Sequence, residues 1–103
     1  MIKDLGEKEF DSFIEKDNAV IDFGAEWCGP CKIMEPQFKK AAETMKNVKF
    51  GKVNIDEEYE LASRFHVMSI PTTIFFKDGE VVDRHVGAMT ADMIKRAAED
   101  NFS

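Results

Sequence analysis

Proline and glycine are scarce in this chain, at three and six of 103 residues. That scarcity excludes collagen-like repeats and argues against long disordered tracts. No segment approaches the roughly 20 consecutive apolar residues that a membrane-spanning helix needs. The opening residues, MIKDLGEKEF, lack the apolar core of a secretory signal, so the cytoplasm is the expected compartment. Structural disulfides are rare there. A basic excess is missing too, because 14 Lys and Arg face 20 Asp and Glu, giving a net charge of -6. With a pI near 4.9 and no Lys/Arg cluster, such a surface repels phosphate backbones. Nucleic-acid and anionic-membrane partners are disfavoured.

What the chain does have is bulk for a core: 44% hydrophobic residues, nine of them phenylalanine. Its length fits one domain spanning residues 1–103, and no repeat, linker or low-complexity segment divides it. Ile2 to Leu5 fits a short first strand, and Glu7 to Lys16 a helix with Phe10, Phe13 and Ile14 on one face. Ala19 to Gly24 has buried-strand character. From Pro30 to about Lys46, Met34, Phe38, Ala41, Ala42 and Met45 recur at helical spacing, with Pro36 expected to pack and to kink that helix. Val48 to Ile55 reads as a strand, and Leu61, Ala62 and Phe65 mark a short helix. Asp78-Gly79 between TTIFFK and EVVDRHV is a strong hairpin signal. Thr90 is placed to cap a last helix that buries Met93, Ile94, Ala97 and Ala98. The order βαβαβαββα predicts an α/β domain: a central mixed β-sheet with helices on both faces.

Both cysteines lie in VIDFGAEWCGPCK, Val20 to Lys32, with Gly29 and Pro30 between them and Asp22 interrupting the apolar run upstream. As a structural staple, Cys28 and Cys31 would close almost the smallest loop available and restrain little of the unfolded chain. As half of a zinc site they lack partners, because His66 and His85 are far beyond the usual H-x₃₋₅-H spacing. Iron–sulfur clusters want four cysteines. A redox dithiol fits the spacing. Pro30 suits a first helical turn, so Cys28 falls just before the helix and Cys31 within it. The free N–H groups and positive dipole end then stabilise a Cys28 thiolate, lowering its pKa below about 8.5. Cys31, one turn on, is close enough to attack a mixed disulfide. Gly29 leaves room for a substrate backbone, and Pro30 limits the opening of the pair. C-x-x-C near a βαβ pattern is a known thioredoxin-like signal.

Nearly the whole sequence resembles the thioredoxin family. The resemblance is carried by FDSFI, Asp22-Phe23, Trp27-Cys28-Gly29-Pro30-Cys31-Lys32, Pro36, Lys52-Val53-Asn54-Ile55-Asp56, Ile70-Pro71-Thr72, Lys77-Asp78-Gly79-Glu80 and Val86-Gly87-Ala88. It implies a protein-disulfide reductase without a bound cofactor or metal, in which Cys28 attacks a client disulfide and Cys31 resolves the mixed disulfide. WCGPC favours a reductant over the CPYC of glutaredoxins or the CGHC of disulfide isomerases. Trp27 is then part of an apolar docking surface, and Pro71 a cis-proline opposite the dithiol. The Ile70 backbone would pair with a client strand, and Gly87 and Ala88 form the far lip of the groove. Asp22 becomes the buried acid beneath the dithiol, with a pKa raised by desolvation and opposed by Lys52 on the next strand. It would accept and return the Cys31 proton. Disulfide-bearing client proteins and a thioredoxin reductase as electron donor are the implied partners, and the chain is expected to be a monomer. Gly24 departs from the family pattern, which often has an aromatic there; its absence removes packing beside the active-site loop.

Each of these residues also has a plainer reading. An acid in a strand most often faces water, but Val20, Ile21 and Phe23 around Asp22 argue for burial. Strand lysines such as Lys52 commonly project to solvent. Trp27 could be core, and Pro71 an ordinary trans turn proline. His66 and His85 read as solvent-facing bystanders, and Asp56-Glu57-Glu58 as a solvated helix start. Two other functions stay open at this point: a glutaredoxin-like or oxidising exchange protein, and a binding module that uses the fold without the chemistry.

Overall fold

A computed structural model describes all residues, 1–103. The elements follow in the order β1 (Ile2–Asp4), α1 (Glu7–Ile14), β2 (Asn18–Gly24), α2 (Gly29–Thr44) and β3 (Lys49–Asn54), then α3 (Tyr59–Arg64), β4 (Thr72–Lys77), β5 (Glu80–Val86) and α4 (Ala91–Phe102). They form one five-stranded sheet in the order β1-β3-β2-β4-β5. β3 runs parallel to both β1 and β2, whereas β4 is antiparallel to β2 and β5. The sheet is mixed, as the element order predicts.

Side chains alternate across a strand, so each strand feeds two cores. Val20, Phe50 and Phe75 pack under α2 and α4 with Met34, Phe38, Ile94 and Ala98. Ala19, Ile21, Phe23, Val53, Ile74 and Phe76 pack under α1 and α3 with Phe10, Ile14 and Leu61. Helices therefore cover both faces. On the second face the rings of Phe10, Phe65 and Phe76 meet at 5.3–5.8 Å between centroids, a spacing at which aromatic pairs attract. Gly51 makes the β3 packing possible, since a Cβ there would stand 2.6 Å from Leu5 Cδ1.

The Asp78-Gly79 turn has positive φ at both residues (50° and 87°), the geometry that matches the twist of a tight hairpin. Thr90 caps α4, its hydroxyl accepting the Met93 N–H at 3.1 Å. Three expectations need correction. Met93 is 42% exposed, because the buried stripe of α4 runs through Ala91, Ile94 and Ala98 instead. Pro36 lies inside α2 but is exposed, so it does not pack in the core and acts on the helix backbone alone, where it has no N–H to donate. His85 is half-buried on β5, while His66 is exposed. No helix is long and apolar enough to cross a membrane.

Candidate functional site

β2 runs out at Gly24, and Ala25 to Trp27 turn the chain into α2; the turn closes with Cys28 N–H donating to the Ala25 carbonyl at 3.3 Å. Cys28 is the N-cap of α2, in extended conformation (φ −87°, ψ 117°), and Pro30 sits in the first turn. The Cys28 sulfur accepts the Cys31 N–H at 3.2 Å. One of the donors that every helix start leaves free is thus aimed at this sulfur. Cys28 and Cys31 form a disulfide, with their Cα atoms 5.2 Å apart. Cys28 is buried, 4% exposed, and Cys31 is only partly covered.

A second loop faces the dithiol. The Ile70–Pro71 peptide is cis, and the Ile70 carbonyl oxygen lies 3.9 Å from Cys28 Sγ. Pro71 is buried, and its carbonyl accepts the Gly87 N–H at 2.8 Å. Gly87 has φ 105°, a conformation open chiefly to glycine, and Ala88 beside it is exposed. Trp27 is 68% exposed, so the core reading of this ring is wrong. Its indole N–H donates to Asp56 Oδ2 at 2.8 Å. Asp56 is therefore more than a solvated acid. The signal for it is topological: β2 and β3 are parallel neighbours, so the residues just beyond their C-terminal ends meet.

By strand alternation Asp22 shares the face of Val20, beneath α2. Lys52 on β3 and Thr73 on β4 are its register partners. Asp22 is 6% exposed, and its Oδ1 has no hydrogen-bond partner. Burial lifts its pKa from 3.8 to about 6; the Lys52 ammonium opposes the rise and Glu35 adds to it. Lys52 Nζ is bonded to Glu35 Oε2 at 3.1 Å, in a pair exposed enough to contribute little stability. The sequence did not single out Glu35, whose place on α2, one turn beyond Cys31, brings it to Lys52. Gly24 lies against the dithiol: a Cβ there would stand 3.1 Å from Cys31 Sγ and 3.9 Å from Asp22 Oδ1.

A cysteine pair at a helix start, set against a cis-proline loop and above a buried acid, defines a thiol–disulfide oxidoreductase. The thioredoxin family profile matches residues 1–100. Thioredoxin from Chlamydia caviae is 45% identical over 96 residues, covering 93% of this chain and 94% of that protein. Thioredoxin-2 of Saccharomyces cerevisiae is 42% identical over 95 residues, 90% of each chain. The crystal structure of Malassezia sympodialis thioredoxin superposes with a TM-score of 0.90 at 33% identity, covering 99% of this chain and 94% of that one. The chain belongs to the thioredoxin family, and its activity is thiol–disulfide reduction. Membership brings disulfide substrates and, generally, a thioredoxin reductase as partner.

Proposed function

We propose that this single-domain chain, residues 1–103, is a general, monomeric protein-disulfide reductase of the cytoplasm, with Cys28 as nucleophile and Cys31 as resolving thiol. The observation that carries the assignment is the Cys31 N–H aimed at Cys28 Sγ from the first turn of α2. The donor favours a thiolate on Cys28 over one on Cys31, so Cys28 is the better populated nucleophile near neutral pH. Once the client sulfur is on Cys28, the Cys31 thiolate attacks Cys28, expels the client thiolate and regenerates the disulfide. Asp22 takes the Cys31 proton in that step and returns it on the next cycle; its pKa of about 6 suits it to both. Lys52 keeps that acid from rising further.

Trp27, Gly29, Pro30, Ile70, Pro71, Gly87 and Ala88 form the client groove in this reading. The exposure of Trp27 and the 3.9 Å approach of the Ile70 carbonyl to Cys28 support it, since a client strand laid there would meet backbone next to the sulfur. The cytoplasm suits a dithiol that must be kept open by reductases. Insulin reduction with dithiothreitol as donor tests the assignment. Wild type is expected to be fast, Cys28→Ser inactive, and Cys31→Ser trapped as a mixed disulfide with insulin. A wild type no faster than dithiothreitol alone would overturn it.

A further inference from the structure

Two threonines open β4 directly after Pro71, and both are buried. The Thr72 hydroxyl donates to the Ser69 carbonyl at 2.6 Å and so ties down the cis-proline loop. Thr73 is fully buried, yet its hydroxyl has no hydrogen-bond partner. Directly across the ladder stands Asp22, whose Oδ1 is the only other buried side-chain oxygen or nitrogen left without one. Alternation puts both side chains on one face: two places along, Val20 and Phe75 are paired in the same way and share the core under α2. From this juxtaposition, which rests on the reductase reading above, we infer that Thr73 is a positioning residue for Asp22, its hydroxyl bonding one carboxyl oxygen and leaving the other to Cys31.

A buried hydroxyl with nothing to bond is a cost that valine, of nearly the same shape and equally at home in a strand, avoids. The backbone nearby is already engaged, since β2 and β4 are each laddered on both sides. Opposite residues of an antiparallel pair hold their Cβ atoms about 4.5–5.5 Å apart. Rotation about the two Cα–Cβ bonds therefore brings Thr73 Oγ1 within hydrogen-bond reach of the carboxyl. A hydroxyl suits an acid that gains and loses a proton, because it donates to the carboxylate and accepts from the protonated acid. Cys31 lies along β2 rather than across it. The point a Gly24 Cβ would occupy is 3.1 Å from Cys31 Sγ and 3.9 Å from Asp22 Oδ1. The carboxyl thus has one partner in each direction.

The charges around Asp22 do not replace this bond. Lys52, its partner on β3, is bonded to Glu35 of α2, and Asp4 on β1 stands across from Lys52 in turn. Lys52 lowers the Asp22 pKa while Glu35 raises it, so the two oppose each other. Lys32, Glu9, Glu26, Glu57 and Glu58 line the adjoining cleft. From α4 come Ala91, Ile94 and Ala98, which bring no charge to this face. On β5, half-buried His85 is the other register partner of Thr73, and so the rival for its hydroxyl.

Carbon NMR of the Asp22 carboxyl tests the bond in wild type, Thr73→Val and Thr73→Ser. Valine removes the donor to the carboxylate, so the Asp22 titration should rise by about one pH unit, and serine should restore it. In the wild type itself the Thr73 hydroxyl proton should titrate with Asp22, and should cease to titrate in Asp22→Asn. Single-turnover oxidation by excess disulfide peptide, followed by Trp27 fluorescence, reads the resolving step. Thr73→Val should slow it roughly fivefold at pH 6 and hardly at pH 8, a pH dependence that lost packing does not produce. An Asp22 titration unmoved in Thr73→Val, or a hydroxyl proton that follows His85 instead, would overturn the inference. A titration that moves while the resolving rate keeps its pH profile would support the bond and overturn, instead, Asp22 as acceptor of the Cys31 proton.

Discussion

At the scale of single residues, Asp22 is the most costly choice in the chain. Its folded pKa of about 6 lies above the ordinary 3.8, so the folded state holds this proton more tightly than the unfolded state does. Its contribution is therefore most favourable below pH 3.8 and is lost as pH rises through about 6. The difference corresponds to about 3 kcal/mol at pH 7. Asp22→Asn is accordingly expected to stabilise the fold by up to about 3 kcal/mol at pH 7 and by almost nothing near pH 3. Urea unfolding across that range measures it, and a constant gain at every pH would mean that packing, not ionisation, is the cause. A second residue checks the electrostatics. Lys52→Met removes the group that holds the Asp22 pKa down while keeping the stem, so the Asp22 titration should move above about 6. Carboxyl carbon NMR reads this directly, and an unmoved titration would show that Asp22 does not feel the ammonium.

At the scale of elements, α4 depends on α2 for its start. Two of its first N–H groups find acceptors: Met93 N–H in the Thr90 hydroxyl at 3.1 Å, and Ala91 N–H in Gln37 Oε1 of α2 at 2.8 Å. Thr90→Ala should cost about 1 kcal/mol, and Gln37→Ala a similar amount. If urea unfolding shows Gln37→Ala to be silent, the contact between these helices is apolar packing alone. Thr90 was legible from the sequence because capping is local: an acceptor residue three positions before the N–H it serves. Gln37 was not, since its partner is 54 positions away in the chain. The same division runs through the site. Cys28, Cys31 and Pro30 were legible because a helix start and its spacing are local matters. Trp27–Asp56 and Lys52–Glu35 depend on which strands and helices become neighbours, which residue patterns do not specify. Strand order was likewise hidden. The mixed sheet followed from the element order, yet nothing local places β2 between β3 and β4. Met93 was misassigned because a helical stripe drawn from apolar residues alone is wider than the one this sheet covers.

For the whole molecule, the two-core design bears on redox cycling. A reductase must stay folded with its disulfide closed or open, so the bond cannot be what holds the fold together. The ring between Cys28 and Cys31, separated by three positions, is small enough that chain entropy credits it with only roughly 2 kcal/mol. Opening it also frees Cys28 to become a thiolate at the positive end of α2, which returns about 0.3–1 kcal/mol. Against these small terms stand two buried clusters on opposite faces of the sheet, neither of which contains a cysteine. Typical domains have 5–15 kcal/mol in hand, on the order of several times the loss. Reduction with dithiothreitol is therefore expected to lower unfolding stability by less than about 2 kcal/mol, with the urea slope unchanged. The radius of gyration in solution should stay near the 12.1 Å of the closed form, close to the ~13 Å of a compact chain this long. Unfolding or marked expansion on reduction would instead make the disulfide a structural staple and leave the catalytic cycle without a folded reduced state.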